Sequence, residues 1–235
     1  FKQNDTNMEY KLDLGNSKAN KLVLFWAANS SNSVLIRNAK KAYGNFENSG
    51  IVKTDENGMV KLKFNCPQPY KTIEKGKKVE ETFYRHIHFC ISNKDNTKWL
   101  KDVYTKIIIC NLSFEETMFL HNNEKIVLLN ALPCSYYGKE HIPNSFNLDI
   151  NTIKNLNKEE LFEWIKDVIK INYPVLNDFL KTKKINLYEI PIVVYCAHKD
   201  CNAGEKVAHE LLKNGFVNVN DFKGGMREYN SKIKK

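Results

Sequence analysis

The sequence predicts two domains in tandem, an all-β sandwich over residues 1–111 and an α/β domain with a parallel sheet over residues 112–235. Three observations lead there. A length of 235 residues exceeds one small domain and suits two hydrophobic cores of ordinary size. The first half consists of short runs of β-branched and aromatic residues separated by Gly, Asn and Asp turn signals, with no long helical period. The second half alternates strand-like apolar runs with amphipathic helical stretches, the pattern of a parallel sheet covered by helices.

In the first half, residues 21–28, 33–38, 59–64, 85–92 and 103–110 read as strands, and the turn Asp55-Glu56-Asn57-Gly58 introduces the third. The character changes near Leu112. Ser113-Phe114-Glu115-Glu116 has the Ser-x-x-Glu form of a capping box, in which hydroxyl and carboxylate each take one backbone N–H at a helix start. A buried-type strand follows at residues 125–130. Leu161, Phe162, Ile165, Val168 and Ile169 recur at helical spacing within residues 157–171. Residues 190–195 form a continuous apolar strand, and residues 204–213 are again helical. There is no internal repeat.

Hydrophobic residues at 42% and charged residues at 27%, with 10 Gly and 6 Pro, exclude disordered, collagen-like and low-complexity classes. No apolar run approaches the roughly 20 residues that a membrane-spanning helix needs. The start, Phe1-Lys2-Gln3-Asn4-Asp5, lacks a basic-then-apolar secretory pattern. A balance of 36 Lys+Arg against 27 Asp+Glu gives +9, which favours anionic partners. The one dense basic run, Lys75 to Lys78, is flanked by Glu74 and by Glu80-Glu81, so it reads as a solvated loop in preference to a nucleic-acid stripe. Six cysteines in a chain of this length are too sparse for a disulfide scaffold; the expectation is reduced thiols and a cytoplasmic setting.

Pro191-Ile192-Val193-Val194-Tyr195-Cys196 places a cysteine at the carboxyl end of a central strand, before a polar loop and a helix. Open α/β sheets put their ligand sites there. Loop N–H groups and the positive helix end would lower the thiol pKa and cradle an anion, which makes Cys196 a candidate nucleophile and Ala197, His198, Lys199, Asp200, Cys201 and Asn202 its loop. Against this stands a buried, inert thiol. Cys201 either closes a persulfide-resolving disulfide with Cys196 or faces the loop interior as a bystander. His198 either steadies a thiolate or anionic donor or is an exposed loop residue.

Taken in order, Gly138-Lys139-Glu140-His141-Ile142-Pro143, the strand ending at Cys196, Ala208 with Leu211-Leu212-Lys213-Asn214-Gly215-Phe216, Asn218-Val219 and Gly224-Gly225-Met226-Arg227-Glu228-Tyr229 resemble a rhodanese (sulfurtransferase) domain over about residues 113–232. The resemblance implies that Cys196 attacks a sulfane sulfur, becomes a persulfide and passes the outer sulfur to a thiol or cyanide. Its partners would be a small anionic sulfur donor and a thiol acceptor. Three features depart from the pattern: Asn130 and Leu132 stand where an Asp and an Arg are usual, Tyr229 replaces a Trp, and the segment from Cys196 to Gly215 is about two residues longer than is common, with Cys201 in the extra length.

In the first half, Arg85-His86-Ile87-His88-Phe89 puts two histidines on one face of a strand, where both can reach one metal or form a polar surface pair. With Tyr43, the turn at Asp55–Gly58 and Pro67-Gln68-Pro69-Tyr70, this segment is similar in type and order to the intradiol ring-cleavage dioxygenases over about residues 20–108. That resemblance implies a β-sandwich holding Fe(III) through Tyr43, Tyr70, His86 and His88; phenolate oxygen and imidazole nitrogen suit that ion. Ordinary packing of hydrogen-bonded tyrosines is the alternative for Tyr43 and Tyr70. Phe83 occupies the place of the family's catalytic Arg, with Arg85 beside His86 instead, and Asp102 stands where a Gln is expected.

Three functional readings follow. The first is a rhodanese-type sulfurtransferase fused to an iron-binding, dioxygenase-like sandwich. In the second, the iron domain oxidises what the sulfur domain supplies or accepts. The third is a two-domain interaction protein in which both sites have decayed.

Overall fold

The structure, a computed structural model, describes residues 7–233; the start that was read for a secretory pattern lies outside the described residues. The chain divides into two compact units, Phe1–Ile108 and Ile109–Lys235. No helix among the described residues is long and apolar enough to cross a membrane.

In the first unit, β1 (Met8–Asp13), β2 (Leu22–Ala27), β3 (Arg37–Asn38), α1 (Ala39–Tyr43), β4 (Ser49–Lys53), β5 (Met59–Phe64), β6 (Tyr70–Ile73), β7 (Glu80–Phe83), β8 (His86–Ile91) and β9 (Tyr104–Ile107) follow in order. Among the described residues they form three sheets, β1-β5, β4-β2-β8-β9 and β3-β6-β7. Successive strand side chains point to opposite faces, so β2 buries Val23, Phe25 and Ala27 while β5 buries Val60, Leu62 and Phe64. Phe25 meets Phe64 with ring centroids 6.4 Å apart, which packs one sheet on another. β8 lies between β2 and β9, antiparallel to both, and presents His86 and His88 on one face.

The expected strand at residues 33–38 shrinks to Arg37–Asn38. There the Asn38 side chain accepts from Lys41 N–H at 3.0 Å and turns the chain into α1. Lys75 to Lys78 fall in the turn joining β6 to β7, where Lys77 pairs with Glu74 at 2.8 Å and with Glu81 at 2.9 Å. Cys90, Cys134, Cys196 and Cys201 are free thiols. Cys66 and Cys110 are disulfide-bonded, which corrects the expectation that every cysteine is reduced.

The second unit runs β10 (Cys110–Asn111), α2 (Phe114–Asn122), β11 (Val127–Asn130), α3 (Cys134–Tyr137), β12 (Phe146–Asn147), α4 (Ile150–Asn155), α5 (Lys158–Asn172), α6 (Pro174–Lys181), β13 (Ile192–Tyr195), α7 (Ala203–Lys213), β14 (Val219–Phe222) and α8 (Gly225–Ile233). The single strand expected over residues 103–110 is therefore two. β9 pairs with β8, whereas β10 pairs with β14 in the other unit's sheet.

That sheet is parallel throughout, in the order β10-β14-β13-β11-β12, so β13 is central. All four residues of β11 and of β13 are buried, as a sheet covered on both faces requires. One face packs Leu128, Val193, Tyr195 and Phe222 with Ile126, Ile142 and Met226. Each such aliphatic or aromatic side chain contributes about 1.5–3 kcal/mol on burial.

The capping box at α2 is formed in full: Glu116 N–H donates to Ser113 Oγ at 3.1 Å, and Ser113 N–H to the Glu116 carboxylate at 2.9 Å. α5 starts with a second box, Asn157 with Glu160, and buries Leu161, Ile165, Val168 and Ile169. Pro174 then opens α6 at a position where a missing N–H does no harm.

Candidate active site

Cys196 follows β13 directly and is buried. Its position is fixed from both sides. Ahead of it, the Tyr195 hydroxyl accepts Ile142 N–H at 2.9 Å and lies 2.7 Å from Ser145 Oγ, which ties the Gly138–Pro143 segment to the strand carrying the cysteine. Behind it, the first turn of α8 reaches across. Met226 N–H donates to the Cys196 carbonyl and Arg227 N–H to the Ala197 carbonyl, both at 2.9 Å.

This contact explains the second glycine of the Gly-Gly pair. Gly225 has φ of +56°, and a Cβ there would lie 2.2 Å from the Cys196 carbonyl oxygen.

Within the loop, Cys201 N–H donates to the His198 carbonyl at 2.9 Å and curls residue 201 back over Cys196. The Cys196 thiol lies 3.3 Å from the Cys201 carbonyl oxygen and 3.7 Å from that of His198, and it also hydrogen-bonds the Cys201 thiol. The backbone N–H groups of Gly204 and His198 face the sulfur and favour thiolate. The expectation of a depressed thiol pKa is nonetheless overturned. Burial, and next the hydrogen bond with Cys201, hold the Cys196 thiol above its ordinary range, and the two amides offset only part of this.

The loop residues are distributed unevenly. Ala197, His198 and Cys201 are half-buried, whereas Lys199, Asp200 and Asn202 are exposed. The His198 ring sits 3.9 Å from the Asp200 carboxylate, and its main-chain carbonyl lies 3.7 Å from the sulfur. Gly204 was missed by sequence reasoning because it lies one residue inside α7. A Cβ there would meet the buried Asp221 carboxylate at 2.8 Å.

A family model described as the rhodanese-like domain matches residues 114–232, just over half of the chain. The chain belongs to the rhodanese-like family. Its similarity to solved structures includes a human single-domain sulfurtransferase (14% identity, 52% of this chain and 96% of that one, TM-score 0.38). A single-domain sulfurtransferase of Saccharomyces cerevisiae (15% identity, 55% and 94%, TM-score 0.38) and the BH2092 protein of Bacillus halodurans (20% identity, 53% and 73%, TM-score 0.37) are also similar. Comparison with curated proteins gave no match.

The rhodanese-like domain accommodates its departures by hydrogen bonding and packing. Where an acidic and a basic side chain are usual, Asn130 Oδ1 accepts Leu132 N–H at 2.8 Å, and the Asn147 amide donates to the Asn130 and Leu132 carbonyls at 3.2 and 2.6 Å. The bend after β11 is thus braced by neutral amides. Tyr229 stands in for a Trp and keeps an aromatic contact, with its ring 6.3 Å from that of Phe114.

The family match begins at residue 114 and does not reach the first unit. There, the four residues singled out for a metal do converge. His86 Nε2 lies 3.0 Å from His88 Nε2, 3.1 Å from the Tyr70 hydroxyl and 3.5 Å from the Tyr43 hydroxyl, and the two hydroxyls are 3.4 Å apart. His86 Nδ1 faces the Tyr84 carbonyl at 2.6 Å, which can only accept, so that nitrogen carries the proton and Nε2 presents its lone pair to the cluster. His88 Nδ1 is held by Thr105 Oγ1 at 2.9 Å. Burial keeps both imidazoles neutral at physiological pH, His88 with a pKa near 4, and pushes both phenols above their ordinary value.

The remaining intradiol expectations are not met by this cluster. Phe83 stacks on Tyr70 at 5.7 Å, the buried Arg85 guanidinium donates to the Pro67 carbonyl at 2.5 Å, and Asp102 is exposed on a loop. No group of three or more His, Cys, Asp or Glu among the described residues is placed to hold a metal, so any site here depends on the two phenols.

Proposed function

We propose that the rhodanese-like domain is a sulfurtransferase in which Cys196 carries sulfane sulfur from a small anionic donor to a thiol acceptor. The observation that supports this most is the placement of Cys196 at the carboxyl end of the central strand, with two amides facing its sulfur and α8 fixing its carbonyl. With thiosulfate as donor, the thiolate attacks the sulfane sulfur, the Cys196–sulfur bond forms, the sulfur–sulfur bond breaks, and sulfite leaves with the electron pair. An acceptor thiolate then takes the outer sulfur, and Cys196 is released as thiolate.

Intact mass spectrometry at the earliest times after thiosulfate is added should show one added sulfur, mapped to the peptide containing Cys196. Cys196→Ala should abolish both the adduct and turnover while leaving thermal unfolding unchanged. An adduct that persists in Cys196→Ala refutes the assignment.

The convergence in the first unit favours a second reading, a ferric ion held by Tyr43, Tyr70, His86 and His88. The fit rests on the His86 lone pair, which faces two phenols and a second imidazole across no more than 3.5 Å. Bound there, such an ion supplies Lewis acidity and one-electron chemistry; this chain's residues present the donors and, through Tyr84 and Thr105, orient the rings. Iron-loaded protein should take up one ion per chain with a tyrosinate-to-iron absorption band, and Tyr70→Phe should shift and weaken that band. Loaded protein without the band argues for simple packing of the two tyrosines.

A further inference from the structure

The reaction proposed above needs only one sulfur atom from the protein, yet the loop carries two free thiols in hydrogen-bonding contact. Cys201 lies five positions after Cys196, and the hydrogen bond from its N–H to the His198 carbonyl folds it back until its own carbonyl is 3.3 Å from the Cys196 sulfur. A disulfide needs two Cβ atoms roughly 3.5–4.5 Å apart with both sulfurs facing, and both cysteines lie in the one short loop between β13 and α7, so the bond would close within that loop. Cys201 is half-buried beside exposed residues, so it is within reach of a reductant, whereas Cys196 is buried.

We propose that Cys201 is a resolving thiol that discharges the Cys196 persulfide as hydrosulfide and closes a Cys196–Cys201 disulfide. The proposal rests on the sulfurtransferase reading. The Cys201 thiolate attacks the inner sulfur, that of Cys196; a Cys201–Cys196 bond forms, the Cys196–outer sulfur bond breaks, and hydrosulfide leaves with the electron pair. The two thiols lose two electrons, the sulfane sulfur gains two, and the thiol protons end on sulfide. No external oxidant is required.

Attack on the outer sulfur would only move the persulfide to Cys201 and expel Cys196 as thiolate. The Cys201 main chain lies against the Cys196 sulfur at 3.3 Å, so the inner sulfur is the one its turn brings within reach. The second substrate is accordingly a two-electron thiol reductant, a dithiol or two monothiols, that reopens the disulfide.

The test uses the full chain, reduced and then freed of small thiols, mixed with excess thiosulfate. Wild type should release one hydrosulfide per chain and stop, with a Cys196–Cys201 disulfide in non-reducing peptide maps; dithiothreitol should restart turnover. Cys201→Ser and, as a second variant, Cys201→Ala should hold the persulfide on Cys196 and release less than about a tenth of that hydrosulfide until a thiol is added. An equal burst from these variants, or the extra sulfur found on Cys201 in wild type, overturns the proposal. Wild type that gains no sulfur at either cysteine and releases none overturns the sulfurtransferase reading itself, and the resolving role with it.

Discussion

Replacing Gly225 by Ala tests how α8 holds the cysteine loop. At φ of +56° an alanine costs about 1–2 kcal/mol in backbone conformation. Its Cβ would also lie 2.2 Å from the Cys196 carbonyl oxygen, so the loop and the first turn of α8 must separate. That separation breaks the bonds from Met226 N–H and Arg227 N–H, worth about 1 kcal/mol each. The total is about 3–4 kcal/mol, and for a domain of this size it lowers the Tm by roughly 10 °C. Gly215→Ala is the control for the loop contact: its φ of +98° strains an alanine, but the nearest atom to its Cβ is Lys158 Nζ at an ordinary 3.6 Å, so the cysteine loop is not displaced. Differential scanning calorimetry and the rate of persulfide formation read both effects. Gly225→Ala should slow sulfur uptake more than about tenfold, since small misplacements of reacting groups have large kinetic effects. Equal slowing of sulfur uptake in the two variants, or uptake at the wild-type rate in Gly225→Ala, would refute the reasoning.

Asp221 is buried, with Glu205 raising and Lys223 lowering its pKa, and burial lifts it from 3.8 to about 6. A carboxyl that holds its proton more tightly in the native state is without penalty below pH 4. It destabilises the fold progressively as pH rises to 6, by up to about 3 kcal/mol above that. Asp221→Asn should therefore raise the Tm at pH 7.5 and leave it nearly unchanged at pH 4; a variant whose Tm gain is the same at both pH values contradicts this. Asn157→Ala removes the N-cap of α5 and should cost about 1 kcal/mol, a loss of a few degrees in Tm that Asn157→Ser largely restores. Alkylation of Cys196 by iodoacetamide should accelerate with pH well into the alkaline range. Cys201→Ala should shift that profile to lower pH, because it removes a hydrogen bond that favours the neutral thiol; an unmoved profile means the two thiols do not interact.

The elements that were legible in the sequence are those whose local pattern agrees with their tertiary setting. The apolar cores of residues 125–130 and 190–195 became fully buried strands, and α5 follows its helical period and its cap. What was missed depends on partners distant in sequence. β1 forms by pairing with β5 and β4 by pairing with β2, each far along the chain. The run Ile107-Ile108-Ile109-Cys110 contains no breaker, and only its two different strand partners divide it. At the site, the position of Cys196 could be read from a strand followed by a polar loop. The direction of its pKa shift could not, since burial and the Cys201 contact arise from the fold. Gly204 had no signal beyond being a small residue in the first turn of a helix.

The segment carrying Cys196 is tied at both ends by main-chain atoms: α8 amides hold the Cys196 and Ala197 carbonyls, and Lys206 N–H donates to the Asn202 carbonyl. Main-chain ties are indifferent to side-chain identity. Residues 198–200 can therefore be exchanged as a cassette with Cys201 kept, which makes this short stretch the natural place to alter what the loop accepts while the sheet and helices stay as they are.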